Sequence, residues 1–172
     1  MPYKDLHDEP FDETTIVKLE IFEDYAQAWI PTFVMSKEPV ICIFDFFAGT
    51  GYDLNHVPGS PIRLLNKIKE QIENIIQKRT KVKLFLNECQ PGKREQKKFA
   101  NLKASCEEFL ENNQIVKATI EVNYLNEDFE SLFPKLLPFI KQYPSLVYLD
   151  QNGVKFISDA YLLELEKTSR TD

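Results

Sequence analysis

The chain has 172 residues, 43% of them hydrophobic and 28% charged, with a net charge of −6. This length and balance predict one globular domain, residues 1–172, that is large enough to bury a core of its own. No apolar run approaches the roughly 20 residues of a membrane span, so no membrane association is expected. The acidic charge does not support nucleic-acid binding by this chain alone, because phosphate contacts need a basic surface.

The N-terminal residues are polar and acidic, which is not the pattern of a signal peptide. The three cysteines, Cys42, Cys89 and Cys106, have no CxxC spacing. Thiols spaced in this way predict free cysteines in a reducing compartment, and we therefore expect a cytoplasmic protein.

The first half of the chain predicts an arm, two helices and a strand. Residues 1–14 are polar, and we expect a flexible or loosely docked arm. Apolar residues recur at three- and four-residue steps over 19–33, which predicts a helix that Pro31 ends or kinks. The β-branched run 40–46 predicts a strand, and the apolar stripe over 61–79 predicts the second helix.

The second half of the chain continues this alternation of strands and helices. Strands are predicted over 82–87, 115–122 and 146–149. Helices are predicted over 93–112 and 154–167, with a helical region broken by Pro134 and Pro138 before the last strand. Such alternation predicts an α/β fold with a parallel sheet covered on both faces. Right-handed crossovers favour a doubly wound, Rossmann-like sheet in the order 3-2-1-4, with the ligand cleft between strands 1 and 4.

The stretch 40–61 joins a buried strand, a glycine turn and the start of a helix. Asp45 is followed by F-F-A-G-T-G, and Ser60-Pro61 can begin the next helix with Ser60 as its cap. Glycines let a backbone approach a ligand closely, and the strand delivers Asp45 to the same place. The pattern favours a nucleotide-type cradle, with a strand-to-helix turn that binds no ligand as the alternative.

A polar residue follows each predicted strand, and the four are Asp45, Glu88, Asn123 and Asp150. The carboxyl ends of parallel strands meet at the edge where such sheets bind ligands. Glu88 is suited to accept hydrogen bonds from both hydroxyls of a ribose, and a solvated surface acid is its alternative. Four basic residues, Lys93, Arg94, Lys97 and Lys98, can form a phosphate patch, although a solvated helix face is the favoured interpretation.

These motifs resemble one protein family in their residues and their order. The turn 45–51, D-F-F-A-G-T-G, is followed by Gly59-Ser60-Pro61, by Asn87-Glu88 and by Asp150, after a first helix that contains Tyr25 and Trp29. The arrangement is similar to that of the three-Cys-motif partner protein (TcmP) family, methyltransferase-like proteins of bacteria and archaea. The resemblance spans the chain from about Lys18 to Asp172, and the glycine turn also resembles the first motif of class I S-adenosylmethionine (SAM) methyltransferases.

The resemblance implies a SAM-dependent methyltransferase. It implies that SAM is bound at the glycine turn by Asp45, Phe47, Ala48, Gly49 and Gly51, and that the last four of these residues line its methionine half. Glu88 would then bind the ribose hydroxyls, and Asp128 or Phe129, after the third strand, would reach the adenine. Asp150 would be the catalytic residue that accepts hydrogen bonds from the target amine.

The chain departs from these relatives in two ways. Asp150-Gln151-Asn152-Gly153 stands where the family has D-P-F-G, so the aromatic residue that would stack on a target ring is missing. A class I methyltransferase sheet has seven strands, whereas four are predicted here, so the C-terminal strands of the full fold are expected to be absent. These departures favour the alternative of a non-catalytic module that binds a nucleotide or a protein.

The predicted fourth strand would be an edge with unpaired backbone groups. Such an edge invites pairing, so we expect either a protein partner or homodimer there, or coverage by a terminal segment. A dinucleotide oxidoreductase is a third and weaker reading, because the turn lacks the third glycine of G-x-G-x-x-G.

Overall fold

The computed structural model describes residues 10–90, 92–150, 159–168 and 170–172. Most of the predicted arm, the turn 151–153 and the first part of the predicted last helix lie outside the described residues. Four strands are present: β1 (Val40–Asp45), β2 (Lys81–Asn87), β3 (Ile120–Leu125) and β4 (Ser145–Tyr148). The described helices are α1 (Glu13–Met35), α2 (Ser60–Glu70), α3 (Ile72–Lys78), α4 (Lys97–Glu111), α5 (Gln114–Thr119), α6 (Phe129–Gln142) and α7 (Asp159–Glu166).

The four strands form one all-parallel sheet in the order β3-β2-β1-β4, which confirms the predicted order. In this register Asp45 lies beside Leu86 of β2 and Tyr148 of β4. The carboxyl ends of β2, β1 and β4 therefore meet at one edge of the sheet, and the predicted site residues lie at these strand ends and in the loops that follow them.

Side chains of β1 alternate between two cores, one on each face of the sheet. Ile41 and Ile43 belong to the core that α1 to α5 cover, whereas Cys42 and Phe44 belong to a second core under α6. In the second core Phe44 stacks on Phe85, with ring centroids 4.6 Å apart. Helices thus cover both faces, as the predicted Rossmann-like fold requires.

Three prolines lie inside helices, so Pro31 does not end α1, and Pro134 and Pro138 do not break the helical region before β4; the alternative that Pro31 kinks α1 stays a prediction. α1 continues through Pro31 to Met35, and α6 contains both Pro134 and Pro138. Buried side chains stand on both sides of each proline, including Ile30 and Val34 in α1. Packing against the sheet therefore holds these helices together across the hydrogen bonds that proline removes.

The predicted strand over 115–122 is wrong in its first half. Residues 114–119 form the short helix α5, and β3 begins only at Ile120. Ile115, Val116 and Thr119 are β-branched, which favours a strand. In the structure they belong to α5, which packs against the core through the buried side chain of Val116. The predicted helix over 93–112 also starts late, at Lys97, because the side chain of Gln96 bonds both the N–H and the C=O of Gln90.

The outer edge of β4 is covered by the segment 170–172, one of the two outcomes predicted for it. Ser145 donates its N–H to the carbonyl of Arg170 at 2.9 Å, and Val147 donates to the carbonyl of Asp172 at 2.9 Å. The side chain of Asp172 accepts from Trp29 Nε1 at 3.0 Å and from the hydroxyl of Tyr25 at 3.3 Å. The segment therefore joins the sheet edge to α1.

Asp172→Ala should lower the free energy of unfolding by about 1–2 kcal/mol, because it leaves the N–H of the buried Trp29 indole without its acceptor. Trp29 is the single tryptophan of the chain, so its fluorescence reports directly on this contact during chemical denaturation. Asp172→Asn keeps an acceptor oxygen and is the matched control. Unchanged stability in Asp172→Ala would show that the contact contributes nothing.

Candidate functional site

The predicted site centres on the turn that follows β1, where three carboxylates from three strand ends lie close together. Asp45 ends β1, Glu88 follows β2 and Asp150 follows β4. Asp45 is 1% exposed, and burial raises its pKa to about 7, with the negative charges of Asp150 and Glu88 acting in the same direction. Hydrogen bonds from Ser60 and Phe47 oppose part of that rise.

The buried Asp45 side chain joins the end of β1 to the start of α2. Its Oδ2 accepts from Ser60 Oγ at 2.6 Å, and its Oδ1 accepts from the N–H of Phe47 at 3.1 Å. The predicted helix-capping role of Ser60 is therefore wrong, since the N-cap position belongs to Gly59 and the hydroxyl points to Asp45. Through these two hydrogen bonds, Asp45 positions the first residue of the turn's Phe47-Ala48 segment and the first residue of α2.

The glycine turn makes most of its polar contacts with neighbouring elements of the chain. Gly49 has a positive φ of 69° and donates its N–H to Glu88 Oε2 at 2.9 Å. Gly51 has a φ of 94°, and a Cβ there would lie 2.7 Å from the Cβ of Ser105 in α4. The positive φ favours glycine at both positions, and at Gly51 the close packing of α4 leaves no room for a side chain as well.

Two asparagines, Asn87 of the Asn87-Glu88 motif and Asn126, hold the ends of β1, β2 and β3 together, a role that the sequence analysis did not assign to them. Asn87 Nδ2 donates to the carbonyls of Phe46 and Glu127, both at 3.0 Å. Asn126 Nδ2 donates to the carbonyl of Glu88 at 2.6 Å. The position of Asn87 at the end of a buried strand is the sequence signal that could have indicated this role.

A small cavity of about 50 Å³ lies over the glycine turn, between α1 and the end of β4. The predicted residues that line it are Phe47, Ala48, Gly51 and Asp150. Lys18 and Thr15 of α1 and Tyr148 of β4 also line the cavity. The two α1 residues were missed because nothing local in the sequence links α1 to the turn. The cavity thus places one cation and one carboxylate beside the turn.

Two other predicted site residues, Glu88 and Asp128, do not line the small cavity. Glu88 is 9% exposed and touches the site through its bond to Gly49. Asp128 does not line the cavity, and its Oδ1 instead accepts from the N–H of Ser131 at 2.9 Å as the N-cap of α6. The hydrogen bonds from Ser131 lower the pKa of Asp128, as expected for a capping carboxylate.

Within the described part of the chain, no three carboxylate, thiol or imidazole groups converge closely enough to hold a metal ion. The acidic side chains at the strand ends give this edge of the sheet a negative potential that favours cationic ligands, and the raised pKa of Asp45 means that part of this charge appears only as the pH rises through about 7. None of the described helices is long and apolar enough to cross a membrane.

The sheet order and the site at its carboxyl edge define an α/β protein with a Rossmann-like fold. In comparisons with known proteins, no family model matches the sequence and no curated protein matches it either. The similarity to the TcmP family therefore remains a prediction based on the motifs.

Proposed function

We propose that this chain binds SAM at the carboxyl edge of its sheet and is a methyltransferase-like protein of the TcmP type. The observation that supports the proposal is the wall of the small cavity, where Lys18 and Asp150 lie beside the glycine turn. The amino acid end of SAM carries both a carboxylate and an ammonium group, and its sulfur is positively charged. One cation set against a cluster of acids is complementary to that charge pattern.

Each residue has a distinct part in this proposal. Lys18 pairs with the α-carboxylate, and the negative potential of Asp45, Glu88 and Asp150 favours the cationic groups. The Glu88 carboxylate accepts from Gly49, and we assign it the ribose hydroxyls because a carboxylate has about four acceptor positions in all. Bound SAM would supply a methyl group carried on the positively charged sulfur. Asp150, at the cavity wall, accepts a hydrogen bond from the target amine and orients it, so that the rate gain comes from positioning.

A second candidate, a non-catalytic module that binds a nucleotide or a protein, has its own supporting observation. Small-ligand sites usually enclose roughly 300–1,000 Å³, well above the 50 Å³ over the turn. In the turn, the N–H of Gly49 already donates to Glu88, and Gly51 is packed against Ser105 of α4. A turn stabilised in this way can be retained for folding alone.

Calorimetric titration of SAM, S-adenosylhomocysteine and ATP into the chain separates the two candidates. The first candidate predicts that SAM and S-adenosylhomocysteine bind more tightly than ATP, whose triphosphate meets the negative potential of the three acids. Binding of ATP alone favours a nucleotide-binding module, and binding of none of the three favours a protein-binding one.

Glu88→Gln should weaken SAM binding roughly 10-fold, because a neutral amide loses the charge-assisted bonds to the ribose. It should leave the thermal midpoint near that of the parent, since the amide oxygen can still accept from Gly49. Glu88→Ala removes that acceptor as well and should lower both affinity and midpoint. Lys69→Gln, on the exposed end of α2, is the control. SAM affinity unchanged by Glu88→Gln would remove the ribose assignment.

A further inference from the structure

The two edges of the sheet differ in how they are covered. The outer edge of β4 is paired with the segment 170–172, whereas the outer edge of β3 has no partner strand among the residues that the structure describes. Every residue of β3 is partly exposed, although most residues of β1 and β2 are buried. The outer edge of β3 is therefore open to solvent.

The register with β2 determines which backbone groups of β3 face outward. The carbonyl of Leu125 accepts the N–H of Glu88, so the odd-numbered residues of β3 bond to β2. The N–H and C=O groups of Val122 and Tyr124 then point away from the sheet, and no hydrogen bond joins them to any other described residue. The N–H of Ile120 closes the last turn of α5, which leaves its C=O. This edge thus presents both backbone donors and backbone acceptors.

β3 lacks the features that usually prevent an edge strand from pairing. Its sequence, I-E-V-N-Y-L, contains no proline, lysine or glycine, and its register with β2 continues without a bulge. The single charged side chain, Glu121, forms ion pairs with Lys81 at 2.7 Å and with Lys83 at 3.5 Å. The strand therefore carries no uncompensated charge that would repel a second strand.

Exposed apolar side chains belong to the helices on both faces of this part of the sheet. Ile115 lies in α5, which leads directly into β3, and is 64% exposed. On the other face Phe139 of α6 is 37% exposed, and its ring centroid lies 5.8 Å from that of Phe85 in the neighbouring β2. Apolar side chains beside unpaired backbone groups are typical of an interaction surface.

We propose that β3 pairs with β3 of a second copy of this chain, in an antiparallel arrangement about a two-fold axis at Val122. Outward-facing residues must pair with one another, and the register centred on Val122 meets this requirement. Val122 exchanges two hydrogen bonds with Val122 of the second copy, and the N–H of Tyr124 donates to the carbonyl of Ile120 across the axis. The two sheets thereby become one, with closed two-fold symmetry.

The side chains of β3 are complementary to themselves in this register. Glu121 faces Asn123 of the second copy, which sets an amide donor opposite a carboxylate, and Ile120 faces the ring of Tyr124. The register centred on Glu121 would instead place two carboxylates opposite each other, which is destabilising. An unrelated extended peptide would use the backbone groups but would gain nothing from this pattern. The proposal does not depend on SAM binding at the glycine turn.

Sedimentation equilibrium of the whole chain over a range of concentrations tests the dimer. The average mass should rise toward that of a dimer as the micromolar concentration increases. Val122→Pro should keep the chain monomeric, because proline lacks the N–H that pairs across the axis. The ladder with β2 does not use that N–H, so circular dichroism should show a folded protein. A parent chain that stays monomeric up to high micromolar concentrations overturns the proposal.

Charge changes at Asn123 test the register and do not depend on whether Val122→Pro folds. Asn123→Glu sets like charges opposite each other at two symmetric positions and should weaken the dimer about 5-fold, whereas Asn123→Lys should strengthen it about 5-fold. Gln142→Glu and Gln142→Lys, matched changes at the exposed end of α6 near the opposite edge, should leave the affinity within about 2-fold. Effects of the same sign in the two Asn123 variants would overturn the proposed pairing.

Amide hydrogen exchange locates the interface within the dimer. The N–H groups of Val122 and Tyr124 should exchange rapidly in the dilute monomer and about 10-fold more slowly once the dimer forms. The N–H groups of Glu121 and Asn123, which bond to β2, are the internal control and should change less. A dimer in which Val122 and Tyr124 exchange as fast as in the monomer uses another surface, and this result would also overturn the proposal.

Discussion

Asp45→Asn is expected to stabilise the protein at pH 8 by a few kcal/mol and to remove a pH dependence that the parent shows between about pH 4 and pH 7. Burial raises the pKa of Asp45 to about 7, above the ordinary value of 3.8. Between these values the unfolded chain loses the proton while the folded chain keeps it, so the parent becomes less stable as pH rises. Above pH 7 both states are ionised, and the full cost of the buried charge remains.

Asparagine suits this position because it can keep both contacts of Asp45. Its oxygen can accept from the N–H of Phe47, and its amide can donate to Ser60 Oγ. The measurement is urea denaturation at pH 4, 6 and 8. The gain in the free energy of unfolding should be small at pH 4 and should grow to about 4 kcal/mol at pH 8, which is the pKa difference converted at 1.36 kcal/mol per unit.

Asp53→Asn is the matched control, because the pKa of Asp53 is lowered in the folded protein whereas the pKa of Asp45 is raised. Burial favours the neutral form of Asp53, but the backbone bonds from Phe11, Val57 and Asn55 hold its pKa below 3.8. Its stabilising contribution is therefore complete above pH 4 and is lost only in stronger acid. Asp53→Asn should cost stability by a constant amount from pH 5 to 8. A constant offset for Asp45→Asn as well would show that Asp45 is ionised throughout the range.

Gly51→Ala is expected to destabilise the protein by about 3 kcal/mol, the sum of backbone strain and steric overlap at one position. A φ of 94° costs an alanine about 1–2 kcal/mol, and the new Cβ would lie 2.7 Å from Ser105 Cβ and 3.0 Å from its Oγ. Forcing a carbon into a packed contact of this kind costs a further 1–3 kcal/mol, because α4 must shift. Urea denaturation of the variant measures the sum.

Two further variants separate the strain from the overlap. Gly92 also has a positive φ, 76°, but its Cβ would meet nothing within 4 Å, so Gly92→Ala should lose only about 1 kcal/mol. Ser105→Gly in the Gly51→Ala background should recover part of the loss, less the roughly 1 kcal/mol that glycine costs inside a helix. Equal losses in the two glycine variants would argue that α4 yields to the new side chain at no cost.

The sheet and the position of the site could be predicted from the sequence because both depend on local patterns. Strands of β-branched residues alternate with helical stripes, and right-handed crossovers leave few ways to order them. Asp45, Glu88 and Asp150 follow strands, so they had to meet at the carboxyl edge. The boundary errors arose where local preference and packing disagree, as at Pro31 and over 114–119.

The partners of the site residues were decided only by the tertiary structure. Gly49 and Glu88 are 39 residues apart, and Ser60 is 15 residues from Asp45, yet each pair is joined by one hydrogen bond. The sequence determined that a flexible turn and a carboxylate would lie at this edge. Whether the glycine N–H faces a ligand or the carboxylate depends on how closely β1, β2 and α4 pack, and that distance is set by side chains far apart in the chain.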